Sequence, residues 1–279
     1  MNEQMKFFYE IFDASLPRLG PGGDDLTLNA LNKLFDLGRG GDSPASAELR
    51  ILDMGCGNGA PTVQLARHTN GTVLAVDNHE PYLAELRRRA EAAGVSDRVR
   101  AQNVDIRNLN FGEGVFDLIW TEGAIYIMGF RAGLTAFHSM LAPGGLCAFS
   151  DLVWLRPGAP DECRQFLTME CAPVDGATPE SSTCKTQELF ETDSVIADID
   201  THLAMIESCG FKNLAHFIFP ESAWWEQYFH PLDARLRALK EKYAGEPDKL
   251  EFLESVWKEI EMYRKYSSYY GYVFYLMKR

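Results

Sequence analysis

The sequence predicts a doubly wound α/β fold: a seven-stranded, mostly parallel sheet with helices on both faces, a helical N-terminal arm and helical insertions. Three observations lead there. Short apolar runs alternate with helical stretches from Leu49 to about residue 152, the pattern of a parallel sheet covered on both sides. The first run closes on ILDMGCGNGAPT, Ile51 to Thr62, where Gly55, Gly57 and Gly59 end a buried strand and open a helix. Beyond the alternating block, FKNLAHFIFP and YGYVFYLMKR supply a sixth and a seventh strand.

The elements follow in order. Residues 1–48 read as a helical arm or lid. Met5, Phe8, Tyr9 and Phe12 share one side of a short helix that ends before Pro17, and LGPGGDD forces a turn. Asp24 or Asp25 is placed to cap a second helix carrying Leu28, Leu31, Leu34 and Phe35, and GRGGDSPAS makes a flexible link. Residues 49–152 form the core. In it ELRILDMG leads to a helix from about Pro61, TVLAVD to PYLAELRRRAEAAG, RVRAQNVD to a connection, and VFDLIWTEG to RAGLTAFHSMLAP, before GGLCAFSDLVWL ends the block. Residues 153–196 are a proline-containing insertion with the polar loop CAPVDGATPESSTC, and residues 197–220 return to the core with one helix and the sixth strand. Residues 221–268 are a helical, aromatic-rich insertion in which Leu250, Leu253, Trp257, Ile260 and Tyr263 keep helical spacing. Residues 269–279 are expected to close the sheet as an edge strand.

Composition narrows the partners. A chain of 279 residues, 46% hydrophobic, buries a sizeable core unaided. Its formal net charge of -13 repels a phosphate backbone or an anionic membrane, which argues against nucleic acid and membrane as partners. Leu86-Arg87-Arg88-Arg89 is the densest basic cluster and reads as a solvated helix face. MNEQMKFFYEIF lacks the uninterrupted apolar core of a signal peptide, so a cytoplasmic location is expected. The six cysteines show no CxxC spacing and read as reduced thiols. Cys163, Cys171 and Cys184 are weighed as a soft-metal set and read instead as unpaired structural residues, so no metal is predicted.

The glycines admit two ligands. Gly55-x-Gly57-x-Gly59 is also Gly55-x-Gly57-x-x-Ala60, which fits the pattern of nicotinamide and flavin proteins. The acids at the strand ends discriminate between them. Asp77 lies twenty-two residues after Gly55, where a carboxylate accepts the hydroxyls of an adenosine ribose, and this suits either ligand. Asp53 immediately precedes the glycines, where a pyrophosphate would be repelled and a cation welcomed. S-adenosylmethionine has the matching shape, with adenosine at one end and an ammonium and a sulfonium at the other. Asp105, followed by Ile106, is then placed for the adenine, and Asn78 either touches ribose or caps the following helix.

LDMGCGNG, AVD, NVDI and LAPGG together resemble the class I S-adenosylmethionine-dependent methyltransferases, in particular the small-molecule branch similar to quinone-biosynthesis methylases. The likeness is strong over residues 49 to 152 and weak over the last strand. WTEGAIYIMGF with the terminal YYGYVFY also resembles a bacterial subgroup of such proteins. The resemblance implies a Rossmann-like methyltransferase fold and a transferase acting on a small molecule, with Asp53, Gly55, Gly57, Asp77, Asn78, Asp105 and Ile106 lining the cofactor site. A homodimer is compatible with it. A non-catalytic S-adenosylmethionine-sensing module and a nicotinamide-dependent oxidoreductase are the alternatives.

Two catalytic candidates follow the fourth strand. Glu122 sits where an acceptor approaches and is expected to hold it or take its proton, against a reading as a cap or salt bridge. Tyr126, four residues on, is placed to orient the acceptor or to pack. His79 follows the ribose position and His230 lies in the candidate cover, whereas His138, His202 and His216 carry no signal beyond their type. Trp224, Trp225, Tyr228 and Phe229 read as the core of the insertion before they read as a substrate wall.

Overall fold

The computed structural model describes residues 3–46, 48–109, 111–170 and 196–279. Strands β1 (Arg50–Met54), β2 (Thr72–Asp77), β3 (Val99–Asn103), β4 (Phe116–Glu122), β5 (Leu141–Trp154), β6 (Lys212–Ile218) and β7 (Tyr270–Lys278) form one sheet in the order β3-β2-β1-β4-β5-β7-β6. The first five pair in parallel, and β7 runs antiparallel to both β5 and β6. The chain leaves β1 toward β2 and β3 on one side and reaches β4 on the other, so a crevice opens at the carboxyl ends of β1 and β4.

The strands are buried because both faces are covered. On one face, Leu31, Leu34 and Phe35 of α2 (Asp24–Gly38) and Leu65 and Ala66 of α3 (Ala60–His68) pack on Ile51, Val73, Leu118, Trp120 and Phe274. The next helix, α4 (Glu80–Ala92), adds Leu83 and Leu86 against Ala75. Opposite, Phe130, Leu134 and Phe137 of α5 (Phe130–Met140) cover Leu52, Ile119, Phe149 and Tyr275. A residue such as Asp53, charged inside an otherwise apolar strand, therefore faces a desolvation cost that an apolar residue would avoid.

Three expectations change. The last strand is interior, because β7 pairs along both sides and its residues Val273 to Met277 are buried, while β6, with its largely uncovered pattern, takes the edge. The N-cap of α2 is Gly23, with Asp24 and Asp25 inside the first turn, where their charge favours the helix dipole. On α1 (Glu3–Ile11) the buried positions are Phe7 and Ile11, with Phe8, Tyr9 and Phe12 only half-buried.

A second core lies above the sheet edge. Phe7, Ile11 and Leu16 of the arm join Cys163 and Phe166 of α6 (Asp161–Glu170) and Leu232 and Leu236 of α8 (His230–Lys242). Trp224, Phe229 and, from α9 (Pro247–Tyr266), Leu253, Ile260 and Tyr263 complete it. Trp224, Tyr228 and Phe229 are thus core residues, with Trp225 partly buried against them. Arg235 Nε donates to Glu10 O at 2.6 Å, and Lys242 and Tyr243 both bond to the Glu10 carboxylate. Helices α1, α8 and α9 thus share one apolar core. Cys171, Cys184 and the loop between them lie outside the described residues.

Gly59 shows where the fold tolerates nothing larger. It has φ +84, and a Cβ there would stand 2.2 Å from Leu86 Cδ1 and 2.8 Å from Leu86 Cβ. Gly94 has φ +68 with open space around it. Gly59→Ala is expected to lose about 2–4 kcal/mol, combining left-handed strain with overpacking. Gly94→Ala is expected to lose about 1 kcal/mol from backbone strain alone. Urea unfolding of both variants checks this, and equal losses would contradict the packing account.

Candidate functional site

The turn after β1 is built from glycine because its backbone must bend where side chains cannot fit. Gly55, Gly57 and Gly59 all adopt positive φ. A Cβ on Gly55 would meet Ala124 Cβ at 2.5 Å, and one on Gly57 would meet Leu19 Cδ1 at 3.0 Å. Bare backbone therefore lines the crevice.

Carboxylates surround this turn. Asp77, at the end of β2, accepts from Gly57 N and from His79 N, each at 3.0 Å, and so ties the glycine turn to the neighbouring strand. Burial pushes its carboxyl above the usual range, against those backbone donors. Asp53 is 1% exposed and accepts from Thr62 Oγ1 of α3. Burial first, with further repulsion from Glu122 and Asp77, raises Asp53 to about 7, while the Thr62 hydrogen bond and the charge of Arg18 act the other way. No cation bonds to it directly among the described residues.

The other predicted residues surround the turn less tightly. Asn78 is exposed and precedes His79, which occupies the N-cap of α4, so Asn78 is not the cap. Asp105 caps the turn Ile106–Asn108, accepting from Arg107 N, and the Arg107 guanidinium beside it holds its carboxyl below the usual range. Ile106 is buried, with Cδ1 4.0 Å from where a Gly55 Cβ would stand.

Glu122 requires a correction. Its Oε2 accepts from Arg18 Nη1 at 2.8 Å, and its Oε1 accepts from Thr27 Oγ1 at 2.7 Å and Trp120 Nε1 at 2.9 Å. Both oxygens are engaged and both charged side chains are buried, so Glu122 anchors the arm and is not a free base. Tyr126 is 61% exposed on the turn Ile125–Met128, at the rim beyond β4. His79 is stacked on Tyr9 with ring centroids 3.4 Å apart, and His230 begins α8.

Residues that the sequence pattern did not single out hold the arm over this crevice. Asn58 Nδ2 donates to Ala14 O and Leu16 O, Arg89 donates to Leu16 O and Pro17 O, and Tyr82 Oη donates to Phe12 O. Arg18 also reaches Asp24 and Thr27. The partners of Asn58, Arg89 and Tyr82 are all distant in sequence, so no spacing announces them. The three arginines of the basic cluster pair with two acids, Glu80 and Glu85.

Breaking one half of a buried ion pair strands the other charge. Arg18→Met is expected to cost about 3–5 kcal/mol, and adding Glu122→Gln is expected to recover a large part of it. Urea unfolding of the two single variants and the double variant measures the coupling, and strictly additive losses would contradict it.

Residues 51–145 match the family described as a methyltransferase domain. Methyltransferase GfsG of Streptomyces halstedii is 34% identical over 109 residues, 39% of this chain and 39% of that protein. The 27-O-demethylrifamycin SV methyltransferase of Amycolatopsis mediterranei (strain S699) is 31% identical over 111 residues, covering 39% of this chain and 41% of the relative. The matched stretch thus spans well under half of these curated relatives. Over 98% of both chains, the structure resembles an S-adenosylmethionine-dependent methyltransferase from Geobacter sulfurreducens, solved with S-adenosyl-L-homocysteine, at TM-score 0.73 and 19% identity. The [4+2]-cyclase SpnF has the same fold at TM-score 0.68 and 18% identity, so the fold by itself leaves the reaction open. Among the described residues no helix is long and apolar enough to cross a membrane. Residues 51–145 thus match a methyltransferase domain, and the whole chain has the fold of the S-adenosylmethionine-dependent methyltransferase it resembles.

Proposed function

We propose that this chain transfers the methyl group of S-adenosylmethionine to a small-molecule acceptor by in-line displacement. The observation that carries the reading is Asp53, a buried carboxylate beside bare glycine backbone that is bonded to a hydroxyl and, among the described residues, to no cation. Such a carboxylate disfavours a pyrophosphate and suits the methionyl ammonium, held directly or through water.

The remaining residues fit the same group. Gly55 and Gly57 let the backbone approach the amino-acid portion. Asp77 has given one lone pair of each oxygen to the backbone and keeps others for the ribose hydroxyls, with Asn78 beside it. Ile106 supplies an apolar surface for the adenine and Asp105 an acceptor for its amino group. When bound, the cofactor supplies an electrophilic methyl carbon; the chain binds, orients and excludes water, which is worth several kcal/mol of barrier or more.

Residues 1–48 act in this proposal as a lid. Leu19 lies over Gly57, so the segment joining α1 to α2 must lift for the cofactor to enter, and the Arg18–Glu122 pair closes it again. Tyr126 at the rim orients the acceptor. The net charge of -13 supports a small molecule over nucleic acid as the acceptor.

Calorimetric titration of cofactor-stripped protein tests the reading. S-adenosylmethionine and S-adenosylhomocysteine are expected to bind at micromolar levels, NADH not at all, and Asp77→Ala to abolish binding; NADH binding in their place would overturn the assignment. A sensing module would bind both adenosyl ligands yet form no S-adenosylhomocysteine with any acceptor.

Asp53 makes binding depend on pH. With its folded pKa raised to about 7, the free protein holds a proton there that a cationic ligand expels. Affinity is therefore expected to rise from pH 6 to pH 8 with proton release below neutrality, and Asp53→Asn is expected to flatten the profile. Titrations in buffers of different ionisation enthalpy measure the released protons. The same shift makes the Asp53 contribution to stability fall as pH rises from the unfolded value toward 7, a trend that Asp53→Asn removes.

A further inference from the structure

A second buried carboxylate stands at the carboxyl edge of the sheet, on the face away from the Arg18–Glu122 pair. Asp151 follows Ser150, which pairs with Glu122 across β4 and β5 and whose hydroxyl accepts from Gly123 N. Alternation along β5 turns Asp151 toward the face where Phe149 and Val153 pack, and leaves it 8% exposed. It is thus one residue beyond the level of Glu122, beside the turn where an acceptor would arrive.

A histidine faces it. His202, buried on α7 (Ile199–Ser208), places Nε2 4.0 Å from Asp151 Oδ2. Its Nδ1 lies 3.1 Å from Tyr275 Oη of β7, and its ring stacks on Phe130 with centroids 3.9 Å apart. These contacts fix the imidazole plane. Asp198, the N-cap of α7, and Tyr275 are the other ionisable groups whose charges act in this cluster. No lysine or arginine among the described residues pairs with Asp151. Burial raises its carboxyl to about 7 and lowers the imidazole to about 4, so a neutral His202 faces a carboxyl that titrates near neutrality.

Stability does not account for such a carboxyl, since an uncharged residue there would avoid its desolvation. We propose that Asp151 takes the proton of a hydroxyl on the methyl acceptor, with His202 and Tyr275 as positioning residues. This rests on the methyl-transfer reading and names the acceptor class, a neutral alcohol or phenol. The acceptor oxygen bonds to the methyl carbon, the carbon–sulfur pair stays on sulfur, and the hydroxyl proton passes to the Asp151 carboxylate. One cationic donor, one alcohol and one carboxylate become a thioether, an ether and a neutral acid, so atoms and charge balance. A carboxylate base is needed only because an O–H acceptor loses a proton; a tertiary amine or a thioether does not.

The first test needs neither cofactor nor acceptor. In the full chain labelled with ¹⁵N-histidine, the His202 ring resonances are expected to show a step near pH 7 from the titration of Asp151, and Asp151→Asn is expected to remove it. Absence of that step in the unsubstituted protein would overturn the proposal. The second test offers tritiated-methyl S-adenosylmethionine with matched phenols, alcohols and tertiary amines. Methylated phenols or alcohols, a rate rising tenfold per pH unit below about 7, and a loss of about a hundredfold or more in Asp151→Asn with S-adenosylhomocysteine affinity kept within twofold would support it. Asp151→Glu is expected to restore part of the rate, and His202→Gln to shift the pH midpoint. Preferential methylation of amines, or an unchanged rate and profile in Asp151→Asn, would overturn it. Failure of S-adenosylhomocysteine to bind either protein would sink the methyl-transfer reading itself, and is recognised separately by calorimetry.

Discussion

Uncompensated negative charge at the strand ends is the constraint on which the rest of the molecule depends. Asp53, Asp77 and Glu122 crowd one crevice, where Arg18 pairs with Glu122 and its charge acts on Asp53. Glu122 receives that cation and two neutral donors, Asp77 receives two backbone N–H groups, and Asp53 receives a single hydroxyl. The charges are thus satisfied unequally. The least satisfied carboxylate lies deepest and next to the glycine turn, where a ligand bringing positive charge gains most.

The same arginine explains the position of the arm. A guanidinium buried against Glu122, Asp24 and Thr27 draws residues 16 to 24 across the crevice, and Asn58 and Arg89 satisfy the backbone carbonyls of that segment. The arm is held from above as well, since Phe7 and Ile11 complete the apolar core formed by α6, α8 and α9. The apolar contacts of α1 with α8 and α9 lie above this segment, and its polar contacts lie on the underside. Those are weaker in water than the packing above and are the ones a ligand would compete with.

The sheet, by contrast, distributes roles by face. Residues of one parity on β4 and β5, Trp120, Glu122 and Ser150, look toward α2 and the arm, while Phe149, Asp151 and Val153 look toward α5 and α7. Two carboxylates one residue apart in level consequently have different surroundings: a guanidinium for Glu122 and a neutral imidazole for Asp151. A one-residue difference in a period-two strand is enough to separate an anchor from a titrating group.

Much of this was legible in the sequence. Alternating apolar runs, the glycine turn and the acids at the strand ends are local or short-range patterns, so the strand-and-helix order of residues 49 to 152 and the strand-end positions of Asp53 and Asp77 could be read directly. Three features could not. The interior position of β7 depends on which strands pair, the anchoring of Glu122 on an arginine 104 residues away, and the meeting of Asp151 with His202 on a helix that enters after an insertion. Periodicity tells which side of an element is apolar, and spacing tells what a turn can hold, because both act through neighbouring residues. The partner of a buried charge is chosen by packing between distant segments, and only the tertiary structure decided that.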